Sequence, residues 1–231
     1  MLRLKILLRS FLRRFGITKI LAKYFHPNRY EQKFDNAMFR YINPGDLVWD
    51  IGANVGYYTI KFAEAVSASG EVHGFEPMPD TFKILSKETS NHSNIRLSCC
   101  ALGREDGSLP MTNDVMIGSS TNKILVDDSE GSNKNSVMIK VRSGNSLIEG
   151  SELKIPNFIK IDVEGHENDV LNGMTKILMD PRLHTLAIEI HFALLEERGL
   201  KNAPSNIVSI LKNNNFNVKW SDPSHILATR S

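Results

Sequence analysis

Short apolar runs alternate with amphipathic stretches along most of this chain, and their order predicts its elements. The stretch from Arg29 to about Tyr41 reads as helical, and Asn43-Pro44-Gly45-Asp46 closes it in a turn. Apolar runs then predict strands at Leu47–Ile51, Glu71–Phe75, Ile95–Ala101, Phe158–Val163 and Leu186–Ile190. Amphipathic stretches predict helices over Tyr57–Val66, Pro79–Ser90, Glu167–Met179 and Pro204–Asn214. Ser136–Val141 is expected to be extended, and the long polar connection from Met116 to Asn135 is a candidate substrate lid. Strands that alternate with helices require parallel crossovers, so the pattern implies an α/β fold with a doubly wound, mostly parallel sheet. Asn217–Trp220 and His225–Thr229 stand too close for a helical crossover and are expected to pair antiparallel at the C-terminus.

Charge changes this picture at one end only. The net charge of +2 conceals a basic arm: residues 1–30 hold eight Lys or Arg and no acid, leaving 20 basic and 26 acidic side chains for the rest. Such an acidic body argues against broad nucleic-acid binding, which needs many phosphate contacts. In the arm, Leu4, Leu7, Leu8, Phe11 and Phe15 share one helical face, with Lys5, Arg9 and Arg13 roughly opposite. Residues 1–28 are therefore expected to form a separate amphipathic arm and residues 29–231 the domain. A basic helix of this kind suits an anionic membrane surface, through residues 1–25, or an apolar contact with core or partner; a transit peptide is a further alternative. Without a run of about 18 uncharged apolar residues, no transmembrane helix is expected. Cys99 and Cys100 are adjacent and offer no disulfide framework, which fits a reducing compartment. The expected location is cytoplasmic, with a peripheral position on the inner membrane face if the arm binds lipid.

Chemistry-bearing residues fall at the ends of the predicted strands, where open α/β sheets bind ligands. LVWDIGANVGYYT runs from a strand through Asp50, Gly52, Ala53, Asn54 and Gly56 into a helix. Its G-x-x-x-G spacing differs from the dinucleotide fingerprint, because Asn54 stands where the second glycine would be. A ligand without a pyrophosphate fits better, and S-adenosylmethionine is one. Glu76, one βα unit later, is placed to accept hydrogen bonds from ribose hydroxyls. FIKIDVEGHE then gathers Asp162, Glu164, His166 and Glu167 on one turn, and IEIH adds Glu189 and His191 at the next strand end. Crowded carboxylates raise one another's pKa unless a donor or cation compensates, so the cluster marks a proton-transfer or metal site.

The ordered set DIGANVGYYT, FEP, CCALG, KIDVEGHE and EIH resembles the FkbM family of methyltransferases over about residues 46–192. The resemblance implies a class I (Rossmann-like) methyltransferase with a seven-stranded sheet, using S-adenosylmethionine to methylate a hydroxyl of a sugar, glycan, glycolipid or related metabolite. It implies that Asp50, Gly52, Asn54 and Gly56, with Ala53 in the same turn, line the methionine end of the cofactor. Glu76 would hold the ribose, and Cys100, Ala101 and Leu102 would pack on the adenine. The family's T-L-D-like stretch is replaced here by Asn145-Ser146-Leu147-Ile148-Glu149, which lacks the acid.

An alcohol is a weak nucleophile, so a base or metal beside the acceptor oxygen is expected. His191 and His166 are candidate bases, and Asp162, Glu164 and Glu189 could orient them or take the proton directly. The alternative is a hard cation such as Mg²⁺ held by Asp162, Glu164, Glu189 and His191. Two other functions remain open at this level: a membrane-tethered module that binds S-adenosylmethionine without catalysis, and a nicotinamide-dependent oxidoreductase.

Overall fold

The computed structural model describes residues 29–112 and 136–230, with side chains from residue 33 onward. The expected arm, residues 1–28, and the Met116–Asn135 connection lie outside these residues; the first described helix is α1, Arg29–Phe39. Contacts separate Met1–Asn36 from Ala37–Ser231, and the second unit holds all the strands and every residue of the site.

A seven-stranded sheet forms its centre, in the order β3-β2-β1-β7-β8-β10-β9. Its strands are β1 (Leu47–Ile51), β2 (Glu71–Phe75), β3 (Ile95–Ser98), β7 (Phe158–Ile161), β8 (Thr185–Glu189), β9 (Asn217–Trp220) and β10 (His225–Thr229). β10 alone runs against its neighbours, lying between β8 and β9 and pairing antiparallel with both. This is the class I methyltransferase fold, and the antiparallel C-terminal strand is where the short Trp220–His225 connection required it. Helices α2 (Tyr57–Val66), α3 (Pro79–Glu88) and α8 (Ala203–Asn213) match the amphipathic stretches closely. Phe158, Ile159, Lys160 and Ile161 are all buried. A strand covered on both faces shows no alternation, which is why β1 and β7 are apolar throughout except for the neighbouring Asp50 and Lys160.

Three elements differ from their expected form. The run Ile95–Ala101 breaks at Cys99-Cys100 into β3 and β4 (Ala101–Gly103), and β4 leaves for a second sheet of order β4-β6-β5. In that sheet, β6 (Ser136–Ser143) extends the expected strand, whereas β5 (Gly107–Thr112) was hidden by Gly107 and Pro110. Pro110 is tolerated because β5 is an edge strand paired with β6 alone. The long helix over Glu167–Met179 is divided into α5 (Glu167–Asn172) and α6 (Thr175–Met179). Gly173 sits between them, where an added Cβ would lie 1.9 Å from the Gly103 carbonyl oxygen. Close approach of the β4 backbone breaks the helix there. Two short helices, α4 (Gly144–Glu149) and α7 (Phe192–Glu197), were not expected at all.

β1 is followed on one side by β2 and β3, and is flanked on the other by β7 and β8. The connections diverge between β1 and β7, and the crevice beyond their carboxyl ends is the place for a ligand. Ile51 pairs with Ile161 across that boundary, so Gly52 and Asp162 leave the sheet side by side.

Candidate active site

One wall of the crevice is made of backbone. Gly52 and Ala53 both donate their N–H to the Phe75 carbonyl, at 3.1 and 2.9 Å, which hangs the β1 turn from the end of β2. Gly52 has φ +85°, and an added Cβ would meet the Asp162 carbonyl oxygen at 1.9 Å. Asn54 is also left-handed, at φ 51°. It replaces a glycine in sequence but keeps the glycine-like conformation that asparagine tolerates best after glycine. Glu76 braces the turn: its Oε2 accepts from Asn54 N at 3.0 Å and its Oε1 from Met78 N at 2.9 Å. Burial pushes the Glu76 carboxyl up to about 7, against the pull of those two N–H groups. Gly52, Asn54 and Glu76 line the cavity, opposite Asp162 and Glu164. A more apolar recess adjoins it, lined by Phe75, Cys100, Ala101, Leu102 and His166.

Three residues expected on this wall stand behind it. Asp50 is fully buried; its Oδ2 accepts from Thr59 Oγ1 at 2.6 Å and its Oδ1 lies 3.6 Å from Lys160 Nζ. Burial raises its pKa, with Lys160 opposing. Ala53 is buried, and a Cβ on Gly56 would face Leu85 and Thr89 of and after α3. All three face the core beneath the turn.

The other wall is built from ionisable side chains. His191, just past β8, places Nδ1 2.7 Å from Glu167 Oε1. A carboxylate only accepts, so Nδ1 carries the proton. Glu167 is fully buried, and the same Oε1 also accepts from Gly165 N at 2.9 Å. The other ring nitrogen, Nε2, faces Glu164 Oε2 at 3.3 Å and Asp162 Oδ1 at 3.6 Å. Burial alone would lower the His191 pKa, but the Glu167 hydrogen bond and the charges of Glu164 and Asp162 carry it to about 9. Burial also lifts Glu164 to about 7, with His191 opposing and the neighbouring carboxylates reinforcing. Lys160, the polar residue of β7, is buried with Nζ 3.4 Å from Asp162 Oδ2 and 4.8 Å from the Tyr58 ring centre.

This wall also departs from expectation in two places. His166 does not join His191: its Nδ1 lies 3.5 Å from Asp169, and its ring lines the apolar recess. Consecutive left-handed residues, Glu164 at φ 50° and Gly165 at φ 92°, reverse the chain before it. Glu189 points toward β10, with Oε2 3.5 Å from His225 Nε2, and stays outside the trio of Asp162, Glu164 and His191. Two participants were given no role in the sequence reading: Glu167 entered it only as one of the four ionisable groups after the strand, and Lys160 only as a residue of that strand.

A family profile described as the methyltransferase FkbM domain matches residues 50–218. The chain belongs to the FkbM methyltransferase family. Its relatives include the hexuronic acid methyltransferase AglP of Haloferax volcanii, 31% identical over 164 residues, covering 71% of this chain and 63% of that protein. The 31-O-demethyl-FK506 methyltransferase FkbM of Streptomyces tacrolimicus is 26% identical over 203 residues, covering 77% and 75%. The chain thus spans just under two thirds of AglP. Among solved structures, SMU.1697c of Streptococcus mutans, in complex with SAH, shares the fold with a TM-score of 0.51 at 13% identity, covering 90% of this chain and all of that one. A Clostridium thermocellum rRNA-methylase candidate does so at 0.52 and 13%, covering 88% and 95%. Family membership removes the nicotinamide oxidoreductase from consideration.

Proposed function

We propose that this protein is an S-adenosylmethionine-dependent O-methyltransferase acting on a hydroxyl of a sugar, glycan or glycolipid. The observation that carries the reading is the Glu167–His191 pair, whose Nε2 faces Asp162 and Glu164, the two acids that line one cavity with Glu76 and the Gly52–Asn54 turn. The name of AglP favours a sugar acid within that class of acceptor.

S-adenosylmethionine supplies a methyl group on a sulfonium, which the acceptor oxygen attacks in line as the carbon–sulfur bond breaks. Glu76 would accept from the ribose hydroxyls with the lone pairs that Asn54 and Met78 leave unused, and Ala101 and Leu102 would pack on the adenine. His191 takes the acceptor's proton at Nε2, and Glu167 stabilises the imidazolium so formed. Asp162 and Glu164 accept hydrogen bonds from the acceptor's hydroxyls and hold them against the base. Positioning of this kind can contribute up to about 7–11 kcal/mol. The test is incubation with S-adenosylmethionine and glucuronic acid or a glucuronoside, followed by detection of S-adenosylhomocysteine and of a methyl ether in the sugar by mass spectrometry. Binding of the cofactor with no methylated product from any sugar would instead favour a non-catalytic module.

A metal-assisted reading rests on one observation: ligand atoms of Asp162, Glu164 and His191 lie within 4.8 Å of one another. Two carboxylates and an imidazole suit a borderline divalent cation better than Mg²⁺, and Glu189 stands outside the set. Activity that survives exhaustive chelation would exclude this reading and leave His191 as the base. For residues 1–25 we propose attachment to anionic lipid, and with it a peripheral position on the inner membrane face. No described helix is long and apolar enough to span a membrane. Co-sedimentation with phosphatidylglycerol vesicles, lost when residues 1–28 are removed, is the expected result; full-length protein that ignores such vesicles would make the arm a packing element.

A further inference from the structure

Phe192 and Trp220 stack on one another with ring centres 6.0 Å apart and planes inclined by 28°. Neither is part of the core, since they remain 45% and 44% exposed. They come from elements far apart in sequence but adjacent at the carboxyl edge of the sheet. Phe192 directly follows His191, and Trp220 ends β9, which runs parallel to β8. Between them, β10 starts with His225, which pairs in register with Glu189, while Ile226 pairs with Trp220. Glu189 and Trp220 are thus separated by two strand spacings, about 10 Å. The end of β7, with Asp162, lies one strand further along the same edge.

An exposed stacked pair keeps apolar ring surface open to solvent. An aromatic face carries the negative side of its quadrupole, and it attracts the polarised C–H groups of a flat, hydroxylated ring. Asp222 and His225, bonded to each other at 2.8 Å, follow Trp220 in the chain, and His225 Nε2 lies 3.5 Å from Glu189 Oε2. Such an aromatic face suits a sugar ring, and Phe192 sets it directly after His191 in the chain.

We propose that Phe192 and Trp220 form a subsite for a second sugar ring, next to the ring presented to His191, so that the acceptor is an oligosaccharide or glycoside. The inference rests on the methyltransferase reading above and narrows its acceptor.

The chain has two tryptophans, and the other, Trp49, is fully buried, so a change in exposed-tryptophan emission reports Trp220. Four probes are titrated into the full-length protein with S-adenosylhomocysteine present: glucose, cellobiose, glucuronic acid and glucuronosyl-glucose. A disaccharide is expected to shift the emission at concentrations at least about tenfold below its monosaccharide. Calorimetry of the same disaccharide should show roughly tenfold weaker binding to Trp220→Ala and Phe192→Ala, with most affinity kept by Trp220→Phe and S-adenosylhomocysteine affinity unchanged. Equal response to mono- and disaccharides, or wild-type disaccharide affinity in Trp220→Ala, overturns the subsite. So does silence from all four sugars while S-adenosylhomocysteine still binds. If the pair instead joins two copies of the chain, Trp220→Ala lowers the sedimenting mass without touching sugar affinity. Failure to bind S-adenosylhomocysteine at all would strike the methyltransferase reading, a separate outcome.

Discussion

The two walls of the crevice are built from different materials. On the β1–β2 side, backbone does the work: left-handed residues at 52 and 54 and N–H groups satisfied by Phe75 and Glu76. On the β7–β8 side, five charged or titratable side chains, Lys160, Asp162, Glu164, Glu167 and His191, hold one another in place. A backbone wall offers a fixed shape and few charges, which suits a ligand that is the same in every turnover. The side-chain wall can move a proton and be retuned by one substitution, which suits chemistry and a variable acceptor. On the proposed reading, cofactor binding falls to the first wall and reactivity to the second, and each can be broken alone.

The largest effect should come where the walls touch. Gly52→Ala places a methyl group 1.9 Å from the Asp162 carbonyl at a backbone angle that side chains avoid. A loss of roughly 2–5 kcal/mol is expected, seen as a large fall in Tm and loss of both cofactor binding and turnover. His191→Gln should break the second wall only, lowering kcat by about 10²–10⁴ while the protein melts cooperatively. A smaller effect tests the first wall by pH. Glu76 loses its proton at about 7 in the folded protein, and only the ionised form has its full set of acceptor lone pairs. Cofactor affinity should therefore tighten as pH rises through that value, and Glu76→Gln should flatten the profile.

The subtlest tests sharpen the second wall. With His191 pushed up to about 9, the free base is scarce at neutral pH, so kcat/KM should climb with pH toward that value. Glu167→Gln removes the charge that holds the proton on the ring, and the ascending limb should move to lower pH. Stability should follow the same titration. A histidine whose folded pKa is raised contributes stability that is present in full below the ordinary imidazole range and is lost as pH rises through about 9. The Tm gap between wild type and His191→Gln is therefore expected to narrow over that interval.

The same contrast explains what could be read in advance. The strand–turn–helix at Leu47–Val66 is local, and its glycines, acid and apolar run announce themselves within 20 residues. Asp162, Glu164 and His191 were visible as types at strand ends, but their partners were not. Nothing local distinguishes His166, which the left-handed pair at 164 and 165 turns away, from His191, which β8 delivers to the acids. Glu167 and Lys160 matter through tertiary contacts with residues 24 positions away and with Asp50 on another strand. β5 and the break at Gly173 depend on edge position and on close backbone approach, neither of which periodicity records. The aromatic pair of Phe192 and Trp220 exists only once β8, β10 and β9 are side by side.

Calorimetry of S-adenosylmethionine with wild type, Glu76→Gln and His191→Gln bears most directly on the division of labour between the walls. Separate walls require Glu76→Gln to bind about ten- to a hundredfold more weakly, the worth of one or two charge-assisted hydrogen bonds, and His191→Gln to bind as wild type does. Wild-type affinity in Glu76→Gln, or an equal loss in His191→Gln, would contradict it.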